Sequence, residues 1–368
     1  MKILFLSAAN SVHTVKWVNA LVKRNYTVYL VYLKSHRNKE NSLDKRIKTI
    51  ELPIDGSIGY YLNALFLNKV AKTICPDIVN AHYASGYGTL MRMAKLRKTV
   101  LSVWGSDVYD FPFQNAASMK IIKKNLLYAD KIASTSNCMA EQVKRLLNDH
   151  TNIVVTPFGV DLSVFNPKFV TSKSDNIVIG CIKTLDVKYG IKYLIIGIRR
   201  LLDSLHDNGY DNLVSKVKCD IYGDGAEKNN LEKIIKEQGL QEIVRLKGKI
   251  PHKDVPSVLR QIDIFCATSI SDSESFGVAV VEAEAMGIPV VVSNVDGFCE
   301  VVEDQVTGFV VERKSSDAIA FALEKLVVDD NLRKSLGKAA RQRVEKLYDW
   351  DKNVTLLENC YKETIRTE

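Results

Sequence analysis

The sequence predicts an α/β protein built from two doubly wound domains, and three observations carry that prediction. Short apolar runs alternate with helical periodicities along all 368 residues, the pattern of parallel strands joined by crossover helices. The length suffices for two cores rather than one. Near the middle lies a stretch of turn and linker composition, Pro157-Phe158-Gly159-Val160-Asp161, then Pro167, then Thr171-Ser172-Lys173-Ser174-Asp175-Asn176. A fresh apolar run, Ile177-Val178-Ile179-Gly180, opens the second half.

Strands are expected at 2–7, 27–33, 77–81, 99–103, 131–134 and 152–155 in the first half. Helical periodicity falls at 13–24, 57–73, 85–96, 117–129 and 137–148. In the second half, strands are expected at 177–180, 217–222, 243–247, 262–267, 288–293 and 308–311. Open parallel sheets bind ligands beyond the carboxyl ends of their strands. With two such domains, the cleft between them is the expected active site.

The bulk composition narrows the class. An apolar content of 46% and a charged content of 26% are ordinary for a soluble globular chain. Hydrophobic runs are short and broken by charge, so no transmembrane helix is expected. Met1-Lys2-Ile3-Leu4-Phe5-Leu6-Ser7 reads as a buried first strand rather than a signal peptide, because its apolar core is so short. The cysteines (Cys75, Cys138, Cys181, Cys219, Cys266, Cys299, Cys360) are scattered and form no CxxC pair. They indicate neither a zinc site nor a disulfide framework, and a reducing cytoplasm fits. The net charge of +8 is unevenly spread, with 23 Lys and Arg against 11 Asp and Glu in residues 1–170. Lys120, Lys123 and Lys124 lie in an amphipathic stretch with Met119, Ile122, Leu126 and Leu127, which suits an anionic lipid surface or a solvated face equally.

The most informative segment is Glu274-Ser275-Phe276-Gly277, followed by an apolar helical run through Glu282 and a buried strand at Ile288–Val292. Glu274 is expected in a loop at a helix N-terminus, with Glu282 about two turns in. Helix N-termini expose unpaired N–H groups and partial positive charge, which suit phosphate. Carboxylates flanking such a site bind hydroxyls instead. The combination describes a pocket for a nucleotide sugar.

Other strand-end loops add to it. Gly180 to Gly190 carries Lys183 and Lys188, two point charges able to neutralise a diphosphate. Gly223-Asp224-Gly225 ends a strand where backbone can approach a ligand, although it is no dinucleotide fingerprint, since position 228 is lysine. No GxxxxGK[ST] occurs, which argues against a P-loop NTPase. In the first half Trp104-Gly105-Ser106-Asp107 follows a strand, Asp107 being the best-placed acid there, and His13 and His82 lie at or just after strand ends.

Together these residues resemble the retaining glycosyltransferases of family 4, the group 1 glycosyl transferases of GT-B fold. Glu274 to Glu282, with EAEAMGIPVV from Glu282, is similar to the family's E-x7-E motif and its continuation. Pro157 to Asp161 with Phe165 resembles its crossover segment, and Gly297 and Glu300 resemble its G-G-x-x-E loop, with Asp296 in place of the first glycine. Ala8-Ala9-Asn10-Ser11 replaces the usual glycine pair of the first loop, and Trp104 replaces a usual histidine. Asp349-Trp350-Asp351 is formally a DxD, but its place before a terminal helix reads as a cap rather than a metal site.

The resemblance implies an N-terminal acceptor domain, 1–165, joined by a terminal helix, 350–368, and a donor domain, 166–349. It implies a donor site of Gly180, Lys183, Lys188, Gly223, Gly225, Ser275, Phe276, Gly277, Val278 and Glu282. Glu274, Lys183, Lys188 and Asp107 are the catalytic candidates. Asn10, Ser11, His13, His82, Trp104 and Asp107 are candidates on the acceptor side. The implied reaction moves a hexose, with retention, from a nucleotide sugar (UDP- or GDP-linked) to a sugar or lipid-linked sugar acceptor. Neither metal nor cofactor is implied, nor nucleic acid as a partner. Bacterial surface polysaccharide or glycolipid synthesis is the expected setting, in the cytoplasm, with attachment to the inner face of the plasma membrane. An epimerase of the same fold and a non-catalytic sugar- or nucleotide-binding protein stay open as alternatives. A glycosidase fits less well, because it needs no diphosphate site.

Overall fold

The computed structural model describes residues 1–40, 42–148, 152–167 and 175–366. The chain divides into two compact units, Met1–Pro157 with Asp351–Glu368, and Phe158–Trp350. Residues 171–174 of the expected linker lie outside the described residues.

The first unit runs β1 (Lys2–Leu6), α1 (Val12–Lys23), β2 (Thr27–Leu33), β3 (Lys48–Leu52), α2 (Gly56–Leu62), α3 (Ala64–Ile74), β4 (Ile78–His82) and α4 (Gly88–Met93). It continues β5 (Thr99–Val103), α5 (Ser106–Tyr109), α6 (Ala116–Tyr128), β6 (Lys131–Ser134), α7 (Asn137–Leu147) and β7 (Ile153–Val155). The strands form one parallel sheet ordered β3-β2-β1-β4-β5-β6-β7. Every residue of β4 and β5 is buried, as a parallel sheet covered on both faces requires. Polar side-chain caps start two of these helices. The Ser136 side chain accepts from the Met139 amide at α7, and that of Asn115 accepts from the Ser118 amide at α6.

The second unit runs β8 (Ile177–Ile182), α8 (Ile191–Asp207), α9 (Asp211–Val214), β9 (Val217–Tyr222), α10 (Lys228–Glu237), β10 (Val244–Gly248), α11 (Val255–Leu259) and β11 (Ile264–Ala267). It continues α12 (Val278–Ala285), β12 (Val290–Ser293), α13 (Asp296–Val301), β13 (Gly308–Val311), α14 (Ser316–Val328) and α15 (Asp330–Leu347). Its parallel sheet is ordered β10-β9-β8-β11-β12-β13. Helix α16 (Trp350–Arg366) then returns the chain to the first unit. There Tyr361, wholly buried, donates its hydroxyl to Asn80 Oδ1 at 2.7 Å, and Arg24 Nη1 lies 2.6 Å from Glu358.

Three expectations need correction. Strand β3 was not foreseen. KTIEL is short and carries two charges, and at the sheet edge only its Leu52 is fully buried. The single helix expected over 57–73 is two, divided at Asn63. That side chain, 1% exposed, receives from the Ile54 amide and donates to the Ile54 and Gly59 carbonyls. Helix α6 does not offer Ile122 and Leu126 outward. Both are buried in the core of the first unit, because a sheet face had to be covered, while Lys120 and Lys124 remain exposed.

Helix α12 carries a carboxylate that the fold isolates. Glu284 is fully buried, and neither of its oxygens has a hydrogen bond of normal length. Burial pushes its carboxyl up to about 8, outweighing the Thr307 hydroxyl and Arg343, which favour the charged form. The folded carboxyl thus holds its proton at pH values where the unfolded one, near 4.5, has lost it. Stability is therefore fullest below that lower value and falls by about 1.4 kcal/mol per pH unit up to about pH 8. We expect Glu284→Met to melt higher than the wild type, with a gap that widens from pH 5 to pH 8 and then stays level. Melting curves across that range check it, and a gap independent of pH would show an ordinary carboxyl.

Candidate active site

In the second unit the strand order reverses between β8 and β11, and the candidate residues gather at the carboxyl ends of those strands. A cavity there is lined by Ile182, Lys183, Tyr189, Thr268, Ser269, Gly277 and Val280, among others. Lys183 follows β8 directly and its Nζ is ion-paired with Glu274 Oε2. Ser269 donates to the same carboxylate oxygen at 3.3 Å. Partial desolvation pulls the Lys183 ammonium down, but Glu274 and Tyr189 outweigh it, and the net shift is upward. The lysine is therefore fully charged at neutral pH. Lys188 belongs to the same loop. Both ammonium groups lie over the Tyr189 ring, Lys183 Nζ 4.4 Å and Lys188 Nζ 5.2 Å from its centroid.

Close backbone packing holds these loops. Gly223 sits at φ +150°, and a side chain there would collide with the Lys183 carbonyl. A Cβ on Gly297 would collide with the Glu274 carbonyl and with the Ser275–Phe276 peptide. The α13 N-terminus is thus pressed against the segment that carries Glu274. Arg313 ties that segment down again, 3.0 Å from Asp272 Oδ1 and donating to the Asn294 carbonyl at 2.7 Å. Gly277, at φ +82°, turns the chain into α12. Ser275 and Phe276 are buried beside it, the Phe276 ring set edge-on between Phe158 and Tyr348. The amides of Val278 and Ala279, ahead of the first bonds to the Gly277 carbonyl from Val280 and Val281, have no intrahelical acceptors.

Glu282 lies little more than one turn into α12, nearer its start than expected. It is 3% exposed and meets His252 Nε2 at 2.8 Å. The sequence reading missed His252. It stands 30 residues from its partner, in a turn before α11, and no local pattern marks it. Tyr189, Ser269 and Arg313 were missed as well, and only Tyr189, next to the singled-out Lys188, had a sequence signal. Gly180 is a packing residue: it lies inside β8, where a side chain would collide with Ile262. Gly225 likewise packs on the Leu185 backbone.

In the first unit the acceptor-side candidates do meet at one sheet edge. Asn10 and Ser11 follow β1, and His13 opens α1. Trp104 follows β5, with its ring 5.6 Å from His13, 4.2 Å from His82 and 5.5 Å from Tyr83. His82 is 1% exposed, and burial holds its imidazole well below the usual range, so it stays neutral at pH 7. Its Nδ1 and the Thr135 hydroxyl, both without a hydrogen-bond partner, line a small cavity with Ser102 and Trp104. Asp107 departs from its expected role. It is 1% exposed, and its carboxylate accepts from the amides of Ala84 (2.8 Å), Gly105 (2.9 Å) and Trp104 (3.1 Å). It clamps the β4 and β5 loops together, a positioning role rather than contact with a substrate. Asp351 of the formal DxD sits in the first turn of α16, with Arg24 3.4 Å away. Among the described residues no group of three or more His, Cys, Asp or Glu could hold a metal ion.

Cations at a strand end, helix amides beside them and carboxylates within reach of hydroxyls define a protein that handles a nucleotide-linked sugar. Comparison with known proteins agrees. The profile described as "Glycosyl transferases group 1" matches residues 165–343, and "Glycosyl transferase 4-like" matches residues 2–136. The chain belongs to the group 1 glycosyltransferases. It is 24% identical to N-acetyl-alpha-D-glucosaminyl L-malate synthase of Bacillus anthracis, over 82% of this chain and 78% of that protein. It is 26% identical to UDP-Gal:alpha-D-GlcNAc-diphosphoundecaprenol alpha-1,3-galactosyltransferase of Escherichia coli, over 81% and 78%. The fold matches sucrose-phosphate synthase from Thermosynechococcus elongatus over the whole of both chains, with a TM-score of 0.85 and 17% identity. It also matches Anabaena HepE, solved in complex with UDP, with a TM-score of 0.78 at 17% identity over 99% of this chain and all of that one.

Two substitutions separate the roles of the carboxylates. Glu282→Ala is expected to weaken nucleoside diphosphate binding by about 1.5–3 kcal/mol, the worth of a charge-assisted hydrogen bond. Glu274→Ala is expected to lower turnover mainly. Calorimetric titration of the nucleotide and steady-state kinetics distinguish them; full activity in both variants would remove the site from this loop.

Proposed function

We propose that this glycosyltransferase moves a hexose from a UDP- or GDP-linked donor to an acceptor hydroxyl with retention, without a metal ion or resident cofactor. The observation that carries this reading is Lys183, charged and ion-paired with Glu274 at the start of the loop that also bears Lys188. A departing nucleoside diphosphate needs positive charge fixed in advance, and two ammonium groups with the α12 amides supply it. Glu282 takes the ribose hydroxyls. Glu274, released from Lys183 as phosphate takes its place, holds hydroxyls of the sugar and orients the ring. The bond from the anomeric carbon to the diphosphate oxygen breaks, and a bond to the acceptor oxygen forms on the same face. The acceptor proton passes to the leaving phosphate, so no protein base is required, and Asp107 and His82 need not titrate.

The acceptor in this reading is a sugar or lipid-linked sugar of bacterial surface polysaccharide or glycolipid synthesis, met at the inner face of the plasma membrane. A relative whose name includes a diphosphoundecaprenol acceptor supports it, as does a fold relative solved with UDP-glucose. A thermal-shift panel of UDP, GDP and their sugars names the donor, since a ligand at a hundred times its Kd stabilises by about 2.7 kcal/mol. Anomeric analysis of the product tests retention, and a new sugar nucleotide formed without acceptor would mean epimerisation. Turnover is expected to persist in excess chelator. Loss there, restored by manganese or magnesium, would show the lysines insufficient.

A further inference from the structure

Helices α2, α3, α4 and α6 form one connected layer of the first unit, α4 packing against the other three. None of the four contains an Asp or Glu. Their exposed cations are Lys69, Lys72, Lys120 and Lys124, with Lys123 half-buried. The acids flanking them are engaged elsewhere. Asp55 accepts from the Ser35 amide and hydroxyl, and Asp130 from those of Thr99.

The α2–α3 pair has two apolar faces where a surface helix needs one. Gly59, Ala64, Leu67 and Ile74 turn inward. Ile58 (60% exposed), Leu62 (56%) and Leu65 (80%) form a stripe at helical spacing on the other side, joined by Tyr61 and Phe66. The stripe continues in register to Lys69 and Lys72. So many large apolar side chains in so short a segment exceed the scattered exposure usual for a monomer.

We infer that this α2–α3 face is a membrane-docking surface, inserting Ile58, Leu62 and Leu65 into an anionic bilayer with the lysines at the headgroups, which rests on the membrane-side acceptor proposed above. A layer of one sign with an apolar ridge matches an anionic interface. Two copies of it would set cations against cations across a two-fold axis, which disfavours self-association. Among the described residues no helix is long and apolar enough to cross a membrane, so such contact would be made from the surface. Helix α6 contributes charge to the rim but not the anchor, since Ile122 and Leu126 are buried.

Sedimentation with phosphatidylcholine vesicles, with and without phosphatidylglycerol, tests this on the full chain. The wild type is expected to sediment with the anionic vesicles and to release with salt. Leu62→Gln/Leu65→Gln is expected to weaken that binding by about tenfold or more. Lys69→Glu/Lys72→Glu is expected to weaken it in low salt, and both variants should keep the melting temperature and its shift by nucleotide. Undiminished binding by Leu62→Gln/Leu65→Gln overturns the surface but leaves a membrane-side acceptor standing. No binding by the wild type overturns both, while nucleotide shifts and transfer to a soluble sugar would preserve the glycosyltransferase reading. A dimer in sedimentation equilibrium that this variant abolishes overturns docking in favour of self-association.

Discussion

Every strand in both sheets runs parallel to its neighbours, and most of the molecule follows from that constraint. A parallel strand is regained only by a crossover, so a helix separates most successive strands and both sheet faces are covered. The central strands are therefore largely buried, and within each sheet all carboxyl ends point to one edge. Residues as distant as Lys183, Ser269 and Glu274 meet there because their loops all leave the same edge. The same constraint spends the apolar face of α6 on its own core.

Within the second unit, three carboxylates of one short segment have three fates, decided by surroundings. Glu274 faces a lysine and a serine. Glu282 faces His252. Glu284, two residues further round the helix, is enclosed where burial outweighs Thr307 and Arg343, and it is held protonated. Two carboxylates this enclosed, Glu274 in the loop and Glu282 on α12, are tolerable because each has a partner. In the proposed reaction the partner of Glu274, Lys183, is the cation that meets the departing diphosphate.

The first unit shows the reverse division. Its most suggestive acid, Asp107, looks inward and joins two loops, and His82 is neutral and enclosed. Its polar work is architectural at the strand ends and electrostatic on the outer helices. There a layer without a single carboxylate leaves a ridge of leucine and isoleucine in water.

The sequence by itself determined the fold class, the six strands of the second sheet, and the setting of Glu274 and Glu282 around a helix start. Those features are local: period, caps and turn residues lie within a few positions of one another. It also marked Lys183 and Lys188, because both fall in a strand-end loop. Only the tertiary structure decided which side chains touch. His252 reaches Glu282 across 30 residues, Arg313 reaches Asp272 across 41, and Gly297 presses on the backbone of Glu274. Strand β3 depended on pairing with β2, and the faces of α6 and α2–α3 were assigned by what the sheet left to cover. Hydrophobic periodicity states that a helix has an apolar face; which face finds the core is set by neighbours that the local pattern does not contain.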